Sequence, residues 1–188
     1  PCVRASFARR VCIVGAESTG TTTLAKDLAK HYQTIWVPEY GRFYGEGKLF
    51  GDKNADWRSE EFVKIARGQC VLEDSLAESS NGLVICDTDA FATRIWHERY
   101  MEVQNTEVEK IADKRKYDLY IVTGDEMPFE QDGTRDGEHI RHWMHKRFLE
   151  KLEEKNKSYI IVTGGREERL QAAIKAIDGI KPTVVDNV

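Results

Sequence analysis

The stretch Val11-Cys12-Ile13-Val14-Gly15-Ala16-Glu17-Ser18-Thr19-Gly20-Thr21-Thr22 decides how this chain is read. Its first four residues form a continuous apolar run, which suits a strand buried on both faces. From Thr22 to Tyr32, Leu24, Ala25, Leu28, Ala29 and Tyr32 recur at helical spacing. Between strand and helix, Gly15 and Gly20 let the backbone curl so that successive N–H groups point into an anion-sized nest. The helix adds its unpaired N–H groups and the positive end of its dipole. Gly15, Glu17, Ser18, Thr19, Gly20, Thr21, Thr22 and Thr23 are therefore the candidate phosphate-binding residues, with Thr22 where a hydroxyl reaches magnesium. Thr21 stands where such a loop ordinarily carries lysine. The charge facing the outer phosphates has to come from elsewhere.

Outward from this stretch, apolar runs alternate with amphipathic ones. Thr34–Val37 reads as a strand stopped by Pro38, and Trp57–Ala77 as a long helix with Phe62, Ile65, Ala66, Val71 and Leu72 on its apolar side. Leu83–Cys86, Leu119–Val122 and Tyr159–Val162 are three further strands. Helical spacing covers Phe91–Tyr100, Val108–Lys114, His139 to about Asn156 and Glu167–Ile177. In the third of these, Trp143, Met144, Phe148 and Leu152 read as the core face. Strands alternating with helices imply a three-layer α/β/α fold around a five-stranded parallel sheet. The polar, turn-rich segment after the fourth strand, with the helix that follows, reads as a helical lid over about 125–157.

Composition excludes several classes. The 188 residues carry 28 Lys plus Arg against 32 Asp plus Glu, a formal charge of -4. That leaves no basic excess for binding nucleic acid by phosphate neutralisation. No apolar run is long enough to span a bilayer, and no signal-peptide pattern opens the chain. Four cysteines without a CxxC pair fit neither a zinc ribbon nor a disulfide framework, and point to a reducing, cytoplasmic setting.

Three further clusters follow the strands, where ligands gather in an open parallel sheet. In Glu39-Tyr40-Gly41-Arg42, Glu39 can accept a proton from a substrate hydroxyl and Arg42 can approach a phosphate, or the two can form a local ion pair. In Asp87-Thr88-Asp89, Asp87 has the position of a magnesium-directed carboxylate. Asp89 either caps the next helix or contacts substrate. Arg135 and Arg141, on the lid side, can supply transition-state charge, or belong to a solvated helical hairpin. His139, His142 and His145 fan across a helix and are read as surface residues, not ligands of one ion.

With these motifs in this order, from about Arg10 to Ile180, the chain resembles the ribosylnicotinamide kinase domain of NadR-type proteins, a P-loop kinase family. The resemblance implies transfer of the γ-phosphate of ATP to the 5′-hydroxyl of nicotinamide riboside, giving nicotinamide mononucleotide for NAD salvage. It implies that residues 11–188 are the P-loop nucleoside kinase domain. Residues 1–10 then look like the junction after an upstream nicotinamide-mononucleotide adenylyltransferase domain. By the same resemblance Thr22 and Asp87 serve Mg2+, and Glu39, Tyr40, Arg42 and Asp89 lie along the riboside. Glu39, Asp87, Arg135 and Arg141 are catalytic, and Arg166, after Gly164-Gly165, lies near the adenine. Thr21 departs from the family's loop. It keeps open a second reading, a catalytically weak module that senses nucleotide and regulates the upstream domain. A third reading, a kinase for another nucleoside, stays open because the sequence does not name the base that is bound.

Overall fold

The computed structural model describes residues 7–52, 55–126 and 140–180. Strand β1 (Arg9–Val14) runs through the glycine loop into α1 (Thr21–His31), and β2 (Trp36–Val37) leads to α2 (Tyr40–Leu49) and α3 (Ser59–Ala77). Next come β3 (Leu83–Asp87), α4 (Ala90–Met101), α5 (Thr106–Lys114) and β4 (Leu119–Thr123). Helix α6 (Arg141–Glu154), β5 (Tyr159–Val162) and α7 (Arg166–Asp178) complete the order. The five strands lie in the order β2-β3-β1-β4-β5, every neighbouring pair parallel. This is the three-layer architecture expected from the sequence.

Each central strand is apolar on both faces because each face meets a helix layer. Val11 and Ile13, with Ile85 and Ile121, pack on Leu24 and Leu28 of α1 and on Ala173 and Ile177 of α7. The alternate residues Cys12, Val14, Cys86 and Val122 join Phe62 of α3, Phe91 and Ile95 of α4, and Met144 and Phe148 of α6. Each large side chain so buried contributes about 1.5–3 kcal/mol. Because β1 is central, the loop at its carboxyl end opens at the middle of the sheet edge. The carboxyl ends of β3 and β4 flank it.

Two core expectations are corrected. Val71 is 66% exposed and Trp143 39% exposed. The buried faces run through Phe62, Ile65, Ala66 and Gln69 on α3, and through Met144, Phe148 and Leu152 on α6. Trp143 sits about 100° around its helix from buried Met144, and Val71 about 200° from buried Gln69 and Glu73, so apolarity alone does not bury them. No helix among the described residues is long and apolar enough to cross a membrane. Residues 1–6 of the junction and 127–139 of the lid segment, with Arg135 and His139, lie outside the described residues.

Candidate functional site

The glycine loop is shaped by left-handed residues and a buried hydroxyl pair. Ser18 has φ +56° and Gly20 φ +84°, the turns that direct successive amides inward. The Thr19 hydroxyl hydrogen-bonds the Ala16 carbonyl and meets the Thr123 hydroxyl, both at 2.7 Å. Gly15 makes room for that pair, since a Cβ there would lie 2.1 Å from Thr123 Oγ1 and 2.6 Å from Thr19 Oγ1. Arg169 of α7 ties the loop from behind. Its guanidinium donates to the carbonyls of Thr19 at 2.6 Å, Gly164 at 2.9 Å and Gly124 at 3.2 Å, and to the Glu126 carboxylate at 2.7 Å. No sequence motif marks Arg169. Its role depends on the ends of β1, β4 and β5 converging.

Register brings Thr22 and Asp87 together. Ile13 pairs with Asp87 across β1 and β3, and the Thr22 hydroxyl donates to Asp87 Oδ2 at 2.5 Å. Burial pushes the Asp87 carboxyl above its ordinary value, against the hydroxyls of Thr22 and Thr21 and the charges of Arg42 and Lys26, which favour the ionised form. The Thr21 hydroxyl thus faces Asp87 from the position where lysine is expected. Among the described residues no three His, Cys, Asp or Glu side chains form a metal cage. A hydroxyl beside a single carboxylate fits magnesium, a hard cation that draws its other ligands from phosphates and water.

A cleft of about 470 Å³ runs along this edge, lined by Gly15–Leu24 and by the residues named next. One wall is α2, which the sequence does not signal because glycines interrupt it and none of its residues is buried. Those glycines permit close packing: a Cβ on Gly41 would lie 3.3 Å from Ile65, and one on Gly45 3.7 Å from Trp57. Glu39, Arg42 and Glu46 line the cleft from this side, with Trp57, Phe62, Trp96 and Tyr100 forming an aromatic wall. Trp57 lies 5.7 Å from Tyr100 by ring centroids, and Trp96 stacks on Tyr100 at 6.4 Å. Glu39 and Arg42 stand 3.9 Å apart, so the local ion pair is present at the cleft itself. Trp57 and Tyr100 escaped sequence reading because they come from elements far apart in the chain.

Two residues proposed for substrate point elsewhere. Tyr40 packs its ring over Gly68, where any Cβ would come within 2.4 Å of it. Asp89 is fully buried and caps α4: Oδ1 accepts from the Ala92 amide at 2.8 Å and Oδ2 from the Tyr120 hydroxyl at 2.7 Å. Of its two sequence readings, the geometry is that of the cap.

At the other side of the loop, Arg166 is exposed and holds Asp27 of α1 through two bonds of 2.6 Å, and both residues line the cleft. Glu17, in the loop, accepts from Arg99 at 2.6 Å, and that guanidinium lies over Trp96 and Tyr100. Arg141 opens α6, is buried, and is not among the cleft-lining residues. His142 is exposed and sits 3.2 Å from Asp125.

A parallel sheet of this order, a phosphate loop at its centre and a carboxylate ending the adjacent strand define a P-loop domain with the kinase fold. The chain belongs to the AAA domain family AAA_28, whose model matches residues 10–169. It is 32% identical over 162 residues to the trifunctional NAD biosynthesis/regulator protein NadR of Escherichia coli K12, covering 85% of this chain and 39% of that protein. The NadR of Salmonella typhimurium LT2 is 32% identical over 133 residues, 71% of this chain and 32% of that one. The chain thus spans 39% and 32% of the lengths of these two relatives. A crystal structure of NadR protein in complex with NR superposes with a TM-score of 0.79 at 24% identity, over 98% of this chain and 55% of that one. Thymidylate kinase from Ehrlichia chaffeensis superposes at 0.63 and 14% identity, over 90% of this chain and 98% of its own. The resemblance to NadR-type proteins and the kinase fold both hold.

Proposed function

We propose that the chain is an ATP-dependent kinase that phosphorylates the 5′-hydroxyl of nicotinamide riboside to give nicotinamide mononucleotide. One observation carries the reading: the phosphate loop and an aromatic wall share one cleft, with Glu39 on its lining. Loop amides and the α1 N-terminus would hold the triphosphate. Thr22 and Asp87 would hold Mg2+, which when bound screens phosphate charge. Trp57, Trp96 and Tyr100 offer flat faces for a pyridinium ring, a cation suited to aromatic π-clouds. Glu39 would take the proton from the 5′-hydroxyl as its oxygen attacks the γ-phosphorus and ADP leaves. Arg42, on the same lining and close enough to act on Asp87, would supply cationic charge in place of lysine. The likeness to NadR, an NAD biosynthesis/regulator protein, supports a place in NAD biosynthesis, and the proposal extends to a cytoplasmic setting and a companion adenylyltransferase domain.

The test is an assay with nicotinamide riboside, ATP and magnesium, read by appearance of the mononucleotide. Product at a rate far above an Asp87→Asn control is expected, and equal rates would overturn the proposal. Another nucleoside preferred by a wide margin would reassign the substrate. Thr21 specifically favours the second reading, a nucleotide-sensing module, whose mark is triphosphate binding without turnover.

A further inference from the structure

Gln69 belongs to no motif, yet it joins the two carboxylate-bearing segments of the site. It lies on α3, is 1% exposed and touches the cleft. Its Oε1 accepts from the Tyr40 amide at 2.8 Å, one residue beyond Glu39. Its Nε2 donates to the Thr88 carbonyl at 3.3 Å, one residue beyond Asp87. Thr88 has φ +69°, a left-handed conformation that a branched residue holds only when its surroundings impose it. The same Nε2 lies 3.4 Å from Glu73 Oε1, and Glu73 is fixed in turn by Tyr117 at 2.8 Å and Arg115 at 2.9 Å. One amide, oriented from below by a buried network, therefore spans the turn after β3 and the start of α2.

From this juxtaposition we infer that Gln69 is a positioning residue, which sets the separation of Glu39 from Asp87 by holding the backbone next to each. The role rests on the kinase reading above, in which Glu39 meets the acceptor hydroxyl and Asp87 meets the metal. Only a side chain with both an acceptor and a donor at this reach satisfies the Tyr40 N–H and the Thr88 C=O together. Methionine fills the same volume and satisfies neither. Asparagine keeps the chemistry but is one methylene short.

The experiment compares the parent with Gln69→Met and Gln69→Asn by steady-state kinetics and by amide exchange of peptides covering 38–46 and 84–92. Expected in either folded variant is a kcat lower by roughly ten- to a hundredfold, with KM for ATP changed far less, because misplacement costs the chemical step more than nucleotide binding. Faster exchange at Tyr40 and near Thr88 should accompany it. A folded variant with parental exchange overturns the inference, as does faster exchange with parental kcat. If the parent phosphorylates no nucleoside, the kinase reading fails on its own evidence. The clamp is then judged by exchange alone, and parental exchange in both variants defeats it. Should Gln69→Met not fold, Gln69→Asn carries the same readouts.

Discussion

The Thr22 hydroxyl sits 2.5 Å from Asp87 Oδ2, joining the first turn of α1 to the last residue of β3. The two are 65 positions apart in sequence, and the pairing of β1 with β3 is what makes them neighbours. Their contact turns two separate motifs into one oxygen-rich corner at the cleft. Asp87→Asn keeps the shape and removes the charge. It should lower kcat/KM for phosphoryl transfer by roughly a hundred- to a thousandfold, the scale of losing one preorganised electrostatic group. Thr22→Val should also destabilise the fold by about 1–3 kcal/mol, since it leaves a buried carboxylate oxygen without its hydroxyl. Urea unfolding of both variants, beside kinetics, separates the two effects.

Thr21 occupies the lysine position with its methyl 3.3 Å from where a Gly15 Cβ would be, and its hydroxyl turned to Asp87. If Arg42 already supplies the missing charge, Thr21→Lys should change kcat by less than about threefold, under 1 kcal/mol of barrier. The expected result is therefore tighter triphosphate binding without a large gain in rate. A gain of two orders of magnitude would instead mark the natural loop as impaired and favour the sensing module.

Gly15→Ala tests the loop's packing without touching any charge. The added methyl collides with the Thr19 and Thr123 hydroxyls, which meet at 2.7 Å. Neither can move without breaking a buried hydrogen bond. A loss of about 1–3 kcal/mol on denaturation is expected, the usual cost of overpacking, together with weaker triphosphate binding by calorimetry. Parental stability and affinity would show that the loop has slack that the geometry denies.

The parts legible in the sequence were those written in local chemistry. Apolar runs such as Val11–Val14 and Leu119–Val122 read as strands buried between helix layers, and the spacing of Gly15 to Thr22 marks a candidate phosphate loop. Asp87 was readable because it follows such a run directly. Helix α2 was not, because its stability comes from glycines fitting Ile65 and Trp57 and not from an apolar stripe of its own. Gln69, Arg169 and Thr123 were silent for a related reason: each acts on backbone or hydroxyl groups supplied by distant segments, and leaves no periodicity. The placing of the Tyr40 ring was equally silent, because it rests on Gly68, 28 positions on, leaving a slot for it. The aromatic wall has the same origin in part: Trp96 and Tyr100 are four residues apart on α4, but Trp57, just before α3, reaches Tyr100 only once those helices pack.

Glu73 supplies a prediction about pH. Its carboxylate is fully buried, 2.9 Å from Arg115, 3.4 Å from Arg10 and 2.8 Å from the Tyr117 hydroxyl. Burial outweighs the attraction of Arg115, and the charge of buried Asp89 adds to the upward push, so the pKa rises from an ordinary 4.5 to about 7. Between those values the folded chain holds a proton that the unfolded chain has released. Stability from this group is therefore fully present below pH 4.5, declines as pH rises, and is gone once pH passes about 7. The span corresponds to roughly 3 kcal/mol. Glu73→Gln cannot titrate, yet its carbonyl still accepts from Arg115 and Tyr117. Relative to the parent, the variant should gain up to about 3 kcal/mol between pH 5 and pH 8, with Asp87 and Asp89 titrating in both proteins and largely cancelling. Urea unfolding at four pH values across that window measures the difference directly. A difference that stays constant with pH would mean that Glu73 remains ionised throughout, its guanidinium partners prevailing over burial.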